Sequence, residues 1–292
     1  MIGHIGHIGH IGSIGHRGHI SPISPIGIFD SGIGGLTVMA EIIKALPCEE
    51  IIYFGDLART PYGSKSKETV VKFSCEIVQF LISQGVKAIV VACNTASASA
   101  LEDLRQMVAV PIIGVILPGA QKAAKVTQTK RIGVIATRST IATGAYVKAI
   151  QSHDPQIHVI SQPCPLFVPL VEEGWMNHSV TREIAEEYLF PLKANKIDTL
   201  ILGCTHYPFL RNVIQDVMGN EVTLINSAEE TARATKELLS DAGLLCGIRQ
   251  DKRHRFYVSD EGSRFVEIGE QFLGEKIRVI TQIDLGKGNS YV

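Results

Sequence analysis

Ala88-Ile-Val-Val-Ala-Cys-Asn-Thr-Ala96 is a run of five apolar residues that stops abruptly at a cysteine, an amide and a hydroxyl. A run this short, with adjacent valines, reads as a strand buried on both faces, and the polar residues after it read as the start of a helix. The pattern returns in Leu200-Ile-Leu-Gly-Cys-Thr-His-Tyr-Pro208. Strands of this kind belong to parallel sheets whose two faces are covered by helices.

The flanking chain keeps the same alternation. Residues 26–29 read as a strand, 35–46 as a helix stopped by Pro47, and 51–54 as a second strand. A polar loop, 55–66, leads into a helix that runs through Gln84, with Val70, Phe73, Ile77 and Leu81 on one face. A helix starts near Thr95, and further strands are expected at 112–115, 132–136, 157–160, 199–202, 222–225 and 256–258. The fold class is therefore α/β, with mainly parallel sheets flanked by helices.

Composition narrows the function. The 292 residues are 45% hydrophobic with a formal net charge of -1, so there is no broad basic footprint for nucleic acid or anionic membrane. No apolar stretch approaches the roughly 18 residues that span a bilayer. None of the six cysteines forms a CxxC pair or zinc-ligand spacing, which points to a reducing cytoplasm, no metal and no disulfide framework. Residues 1–23 are a separate matter. Their Gly-His-Ile triplets place His4, His7, His10, His16 and His19 in a low-complexity run, expected to be a disordered leader or tag outside the fold and the chemistry.

An internal repeat supplies the function. The strand at 26–29 ends in Asp30-Ser31-Gly32, and the strand at 132–136 ends in Thr137-Arg138-Ser139-Thr140. Cys93 lies 63 positions after Asp30, and Cys204 lies 67 after Thr137. Two similar lobes would then present polar residues from strand carboxyl ends into a shared cleft, where ligands bind in open parallel sheets. A single cysteine after a buried strand is ordinarily packing. Two at equivalent junctions, facing each other, suit racemisation: one thiolate takes the α-proton from one face while a thiol returns a proton to the other. Cysteine fits because both of its protonation states are accessible near neutrality. Cys48, Cys75, Cys164 and Cys246 lack this context and read as structural.

Several neighbours could serve the pair. Asp30-Ser31-Gly-Ile-Gly-Gly35 is a Gly-rich turn without the dinucleotide fingerprint, and on local grounds it could equally be a helix cap. His206 stands two residues after Cys204, where it could tune the thiol or act as filler. Tyr62 lies in a loop whose Pro61 and Gly63 are ordinary turn residues. Glu172 alone would be a helix-surface carboxylate.

Taken together, Ile28-Phe-Asp-Ser-Gly-Ile-Gly-Gly-Leu36, Pro61-Tyr-Gly63, Ala92-Cys-Asn-Thr-Ala96 and Gly203-Cys-Thr-His-Tyr-Pro208 resemble the motifs of the bacterial glutamate racemases, in order, from about residue 26 to about 285. The resemblance implies a cleft between two α/β lobes, no cofactor, no metal, a small-molecule substrate (glutamate), and production of D-glutamate for peptidoglycan. It implies a discontinuous first lobe, 24–116 with 226–288, and a second lobe, 117–225. By motif, Cys93 would deprotonate the D-enantiomer and Cys204 the L-enantiomer, with Asp30 assisting Cys93 and with His206 and Glu172 assisting Cys204. Ser31, Pro61, Tyr62, Gly63, Asn94, Thr95, Thr140 and Thr205, together with Asp30, would hold the amino acid. Assembly is left open, a homodimer being one form. The rivals are a racemase of aspartate or another acidic amino acid in the same superfamily (the aspartate enzymes being disfavoured by His206), a thiol–disulfide redox protein, and a two-lobed glutamate-binding protein.

Overall fold

The apolar runs assemble into two separate parallel sheets. The computed structural model describes residues 20–247 and 254–285. The His-rich run and the five histidines in it lie outside the described residues. Among the described residues ten strands occur in chain order: β1 (Ile26–Asp30), β2 (Ile51–Gly55), β3 (Ala88–Val91), β4 (Ile112–Gly114), β5 (Arg131–Ala136), β6 (His158–Pro163), β7 (Thr199–Gly203), β8 (Thr223–Asn226), β9 (Arg255–Val258) and β10 (Ile280–Gln282). One sheet has the order β10-β9-β2-β1-β3-β4 and the other β6-β5-β7-β8. Every strand pairing is parallel. The expected α/β class, with two mainly parallel sheets flanked by helices, is what the chain adopts.

The repeat is visible in the strand orders. β1 sits between β2 and β3, as β5 sits between β6 and β7, so Asp30 closes, and Thr137 follows, equivalent central strands. Cys93 and Cys204 follow the equivalent strands β3 and β7. β1, β2, β3 and β7 are buried at every residue, as expected of strands covered on both faces.

The helices form where the apolar period requires cover. Helix Leu36–Ala45 buries Leu36, Val38, Met39 and Ile42 and ends before Pro47. Helix Lys67–Ser83 starts at Ser66, whose hydroxyl accepts the Thr69 amide at 3.3 Å, and it buries Val70, Ile77 and Leu81. Phe73, expected on the same face, is only half-buried, and its ring lies 5.9 Å from that of Tyr62. The loop at 55–66 is more ordered than its polarity suggests, holding single 3-10 turns at Leu57–Arg59 and Tyr62–Ser64.

After β8 the chain returns to the first sheet. Helix Ser227–Asp241 packs on helix Leu36–Ala45, and β9 and β10 then extend the sheet beyond β2. A buried ion pair secures this crossing: Lys87 Nζ meets Glu49 Oε2 at 2.5 Å and donates to the Leu244 carbonyl at 2.8 Å. Glu49 Oε1 accepts the Cys246 amide at 2.8 Å. Removing one partner would strand a buried charge, a loss of about 3–5 kcal/mol.

Candidate active site

Asp30 closes β1 and is buried, and its two oxygens differ. Oδ2 accepts the amides of Gly32 at 3.2 Å and Gly35 at 3.0 Å, so it ties the Gly-rich turn together, while helix Leu36–Ala45 itself starts at Gly35 without a side-chain cap. Oδ1 is buried with no hydrogen-bond partner. Burial raises the Asp30 pKa, opposed by the charge of His206 and by the turn amides. The turn is tight enough to require glycine: a Cβ on Gly35 would lie 2.5 Å from Asp30 Cβ and 2.8 Å from the Tyr53 hydroxyl. That hydroxyl donates to the Gly32 carbonyl at 2.9 Å and holds the turn from below.

Cys93 follows β3 and caps the next helix. Its sulfur accepts the Ala96 amide at 3.5 Å at the start of helix Asn94–Ser99 and reaches Ser31 Oγ at 3.6 Å. Burial and the neighbouring Asp30 charge push the thiol up to about 12, against the pull of these two contacts. Asp30 therefore acts on Cys93 through its charge, while Ser31 makes the direct contact.

Cys204, also buried, has a different partner. Its sulfur lies 3.9 Å from His206 Nδ1, and His206 Nε2 meets Glu172 Oε1 at 3.0 Å. Burial alone would depress His206, but its contacts with Cys204 and Glu172 outweigh burial and push it up to about 10. The same contact holds Glu172 below its ordinary value despite its own partial burial. Glu172 ends helix Phe167–Glu172, and Arg264 fixes its backbone by donating to the Glu172 carbonyl at 2.9 Å.

The two halves meet around these groups. Thr37 Oγ1 lies 3.1 Å from the Thr205 carbonyl, and a Cβ on Gly34 would fall 2.5 Å from the His206 ring and closer still to Thr205 Oγ1. Thr205 Oγ1 is 3.4 Å from His206 Nδ1. The hydroxyls of Thr95, Thr137 and Thr140 form a triangle with sides of 3.0, 3.0 and 3.1 Å, joining the helix after β3 to the helix after β5. Gly63 abuts Thr137, where an added Cβ would lie 2.8 Å from the threonine Cβ. Asn94 Nδ2 donates to Tyr146 Oη at 2.8 Å.

Tyr62 departs from the simple expectation. Its ring is buried and its hydroxyl donates to Asp56, which also takes the Arg59 Nε proton at 2.8 Å and the Ser259 hydroxyl at 2.8 Å. The phenol is occupied in holding the loop, and Pro61, before it, is exposed.

Comparison with known proteins agrees with this geometry. Residues 26–235 match the Asp/Glu/hydantoin racemase family. A glutamate racemase of Geobacter metallireducens is 52% identical over 259 residues, covering 89% of this chain and 96% of that protein. The crystal structure of a glutamate racemase from Bacillus anthracis superposes with a TM-score of 0.87 at 44% identity, covering 90% of this chain and 98% of that one. That of Francisella tularensis glutamate racemase in complex with D-glutamate gives a TM-score of 0.86 at 40% identity, covering 91% and 99%. The chain belongs to the Asp/Glu/hydantoin racemase family.

Within this racemase fold, some residues at the junctions escaped the sequence reading. Thr137 stands at the strand end equivalent to Asp30, so the repeat itself carried a signal for it. Tyr146 and Ser227 had none, because each works through partners far away in the chain; Asp56, whose partners Arg59 and Tyr62 are local, sits in a polar loop with no motif to single it out. Among the described residues, no group of three or more His, Cys, Asp or Glu is placed to hold a metal ion. Nor is any helix among them long and apolar enough to cross a membrane.

Proposed function

We propose that the protein interconverts L- and D-glutamate by two-thiol proton transfer, Cys93 serving one face of the α-carbon and Cys204 the other. The observation that carries this reading is the placement of two buried thiols at equivalent strand ends, each beside its own ionisable partner. Their charges interact, since a negative Cys204 raises Cys93. Cys93 is a thiol at neutral pH and therefore a proton donor, while the Cys204–His206 pair can hold a proton between sulfur and imidazole. The unpartnered Asp30 Oδ1 is an acceptor awaiting a donor, and the ammonium is the only donor a glutamate zwitterion offers. Ser31, Thr95, Thr140 and Thr205 supply hydroxyls for its carboxylates, with Gly63 and Asn94 beside them. The α-proton is weakly acidic, so these fixed donors also stabilise the carbanionic transition state.

The cleft would lie between lobes 24–116 with 226–288 and 117–225, a division supported by β9 and β10 joining the first sheet. Its product would supply peptidoglycan synthesis in the cytoplasm. Glutamate, rather than aspartate, is supported by His206 after Cys204 and by the names of the relatives.

Solvent deuterium tests the reaction. In heavy water the wild type should incorporate deuterium at the α-carbon of glutamate, and the Cys93→Ser, Cys204→Ser double variant should not. Undiminished wash-in by the double variant defeats the two-thiol mechanism, and turnover of aspartate but not glutamate, by chiral chromatography, defeats the substrate.

A further inference from the structure

A chain of hydrogen bonds joins the two cysteine junctions, and its polarity is fixed at both ends. Asn94, next to Cys93, donates from Nδ2 to Tyr146 Oη at 2.8 Å. Tyr146 Oη lies 3.2 Å from Ser227 Oγ, and Ser227 Oγ donates to the Leu202 carbonyl at 3.4 Å. A carbonyl only accepts, so the single Ser227 proton is spent on Leu202 and Tyr146 must donate to Ser227. Tyr146 in turn has only acceptor capacity left for Asn94. Reversing the Asn94 amide would reverse every link and leave Leu202 without this donor. The chain thus runs from the residue after Cys93 to the strand that precedes Cys204, through one residue of helix Ala145–Gln151 and one at the start of helix Ser227–Asp241.

We propose that Tyr146 is a positioning residue of the racemase site, fixing which way the Asn94 carboxamide faces. This rests on the glutamate racemase reading above. With one N–H committed to Tyr146, the amide keeps its carbonyl oxygen and second N–H for a ligand, and an α-amino acid offers the matching donor and acceptor in its ammonium and carboxylate. Burial, together with a negative Cys204, raises the Tyr146 phenol to about 12 despite its bonds to Ser227 and Asn94, so the proton it donates is retained through the neutral range. The ring is held independently of its hydroxyl: a Cβ on Gly203 would come within 3.0 Å of Tyr146 Cε2. Tyr146→Phe therefore removes the link while keeping the packing.

The experiment pairs kinetics with nuclear magnetic resonance on the intact protein. Tyr146→Phe should raise KM for both glutamate enantiomers about tenfold, the scale of one hydrogen bond, with kcat changed less than about threefold. Introduced into Asn94→Ala, the same change should cost nothing more, because Tyr146 acts through Asn94. A tenfold loss in both backgrounds overturns the proposal. Independently of any substrate, the Asn94 side-chain amide signal, identified by its loss in Asn94→Ala, should exchange slowly with solvent in the wild type and quickly in Tyr146→Phe. Unchanged exchange overturns the relay even if racemisation is confirmed. A wild type that leaves glutamate unchanged instead defeats the functional reading, and the exchange measurement still decides the relay.

Discussion

Cys93 and Cys204 follow strands β3 and β7, which hold the same place in the two sheets, yet their surroundings differ in kind. Cys93 has a backbone amide, a serine hydroxyl and a nearby buried carboxylate. Cys204 has an imidazole that is itself held by a glutamate. The first setting favours a thiol, raised by burial and by Asp30, whereas the second supplies a cation beside the sulfur. Racemisation needs one acid and one base at any instant, and a symmetric pair of environments would not bias which sulfur starts as which. In the proposed two-thiol reaction, duplicated strand ends would provide the geometry and the asymmetric neighbours the proton bias.

The largest break in this comparison is loss of a sulfur. Cys93→Ser and Cys204→Ser should each lower racemisation by about 10³-fold or more, by circular dichroism of the product. The survivors should differ: Cys93→Ser should retain deuterium exchange from L-glutamate only, and Cys204→Ser from D-glutamate only. Identical exchange from both enantiomers in either variant would show that the sulfurs do not serve opposite faces.

Next come the partners. Asp30→Asn keeps an oxygen that can accept the Gly32 and Gly35 amides but replaces the free acceptor with a donor, so melting should barely move while kcat/KM falls about 10²-fold. His206→Gln should cost a similar factor from the other side. Because enantiomers have equal free energy, kcat/KM must fall equally in both directions. The primary isotope effect need not: it should rise for D-glutamate in Asp30→Asn and for L-glutamate in His206→Gln. The same direction in both variants would erase the assignment of one helper per sulfur.

A single methyl group sharpens the contrast further. On Gly34 it would press into Thr205 and the His206 ring, whereas on Gly32 the nearest atom, Thr60 Oγ1, is 3.5 Å away, ordinary contact. Gly34→Ala should lower kcat/KM about tenfold and carry the His206-type isotope signature, at the cost of overpacking, about 1–3 kcal/mol. Gly32→Ala should leave the Cys204 side unchanged. Equal effects of the two variants on the isotope effect from L-glutamate would remove Gly34 from the support of His206.

How much of this was legible depends on whether a residue's partners are local. The central strands announced themselves because burial on both faces leaves uninterrupted Ile and Val runs, as in Ala88-Ile-Val-Val91. β10 did not, since Ile280-Thr-Gln282 is a three-residue edge strand with two exposed positions. β6 extends to Pro163, beyond the expected 160, because an edge strand tolerates polar residues and a terminal proline. Among the candidate site residues, Cys93, Cys204 and Asp30 were readable from strand ends. The contact between Glu172 and His206 spans 34 positions, and that between Tyr146 and Ser227 spans 81, separations at which neither spacing nor propensity carries a signal.

The smallest expected effect is on stability, and it belongs to the Cys204 side alone. His206 is raised from an ordinary 6.5 to about 10, so its stabilising contribution is complete below pH 6.5 and fades as pH climbs toward 10. Glu172 is lowered from an ordinary 4.5, so its contribution is complete above that value and fades as pH falls. The pair should therefore stabilise most between pH 4.5 and 6.5. With the Glu172 side chain 32% exposed, solvent screens the contact, and the gap in melting temperature between wild type and Glu172→Gln should be only about 2 °C in that window. It should narrow as His206 loses its proton at alkaline pH. Other titrating groups, Cys93 among them, are common to both proteins and largely cancel in the difference. A gap that stays constant through pH 10 would mean that the two side chains touch without sharing charge, and the cation beside Cys204 would then have to be held by the sulfur alone.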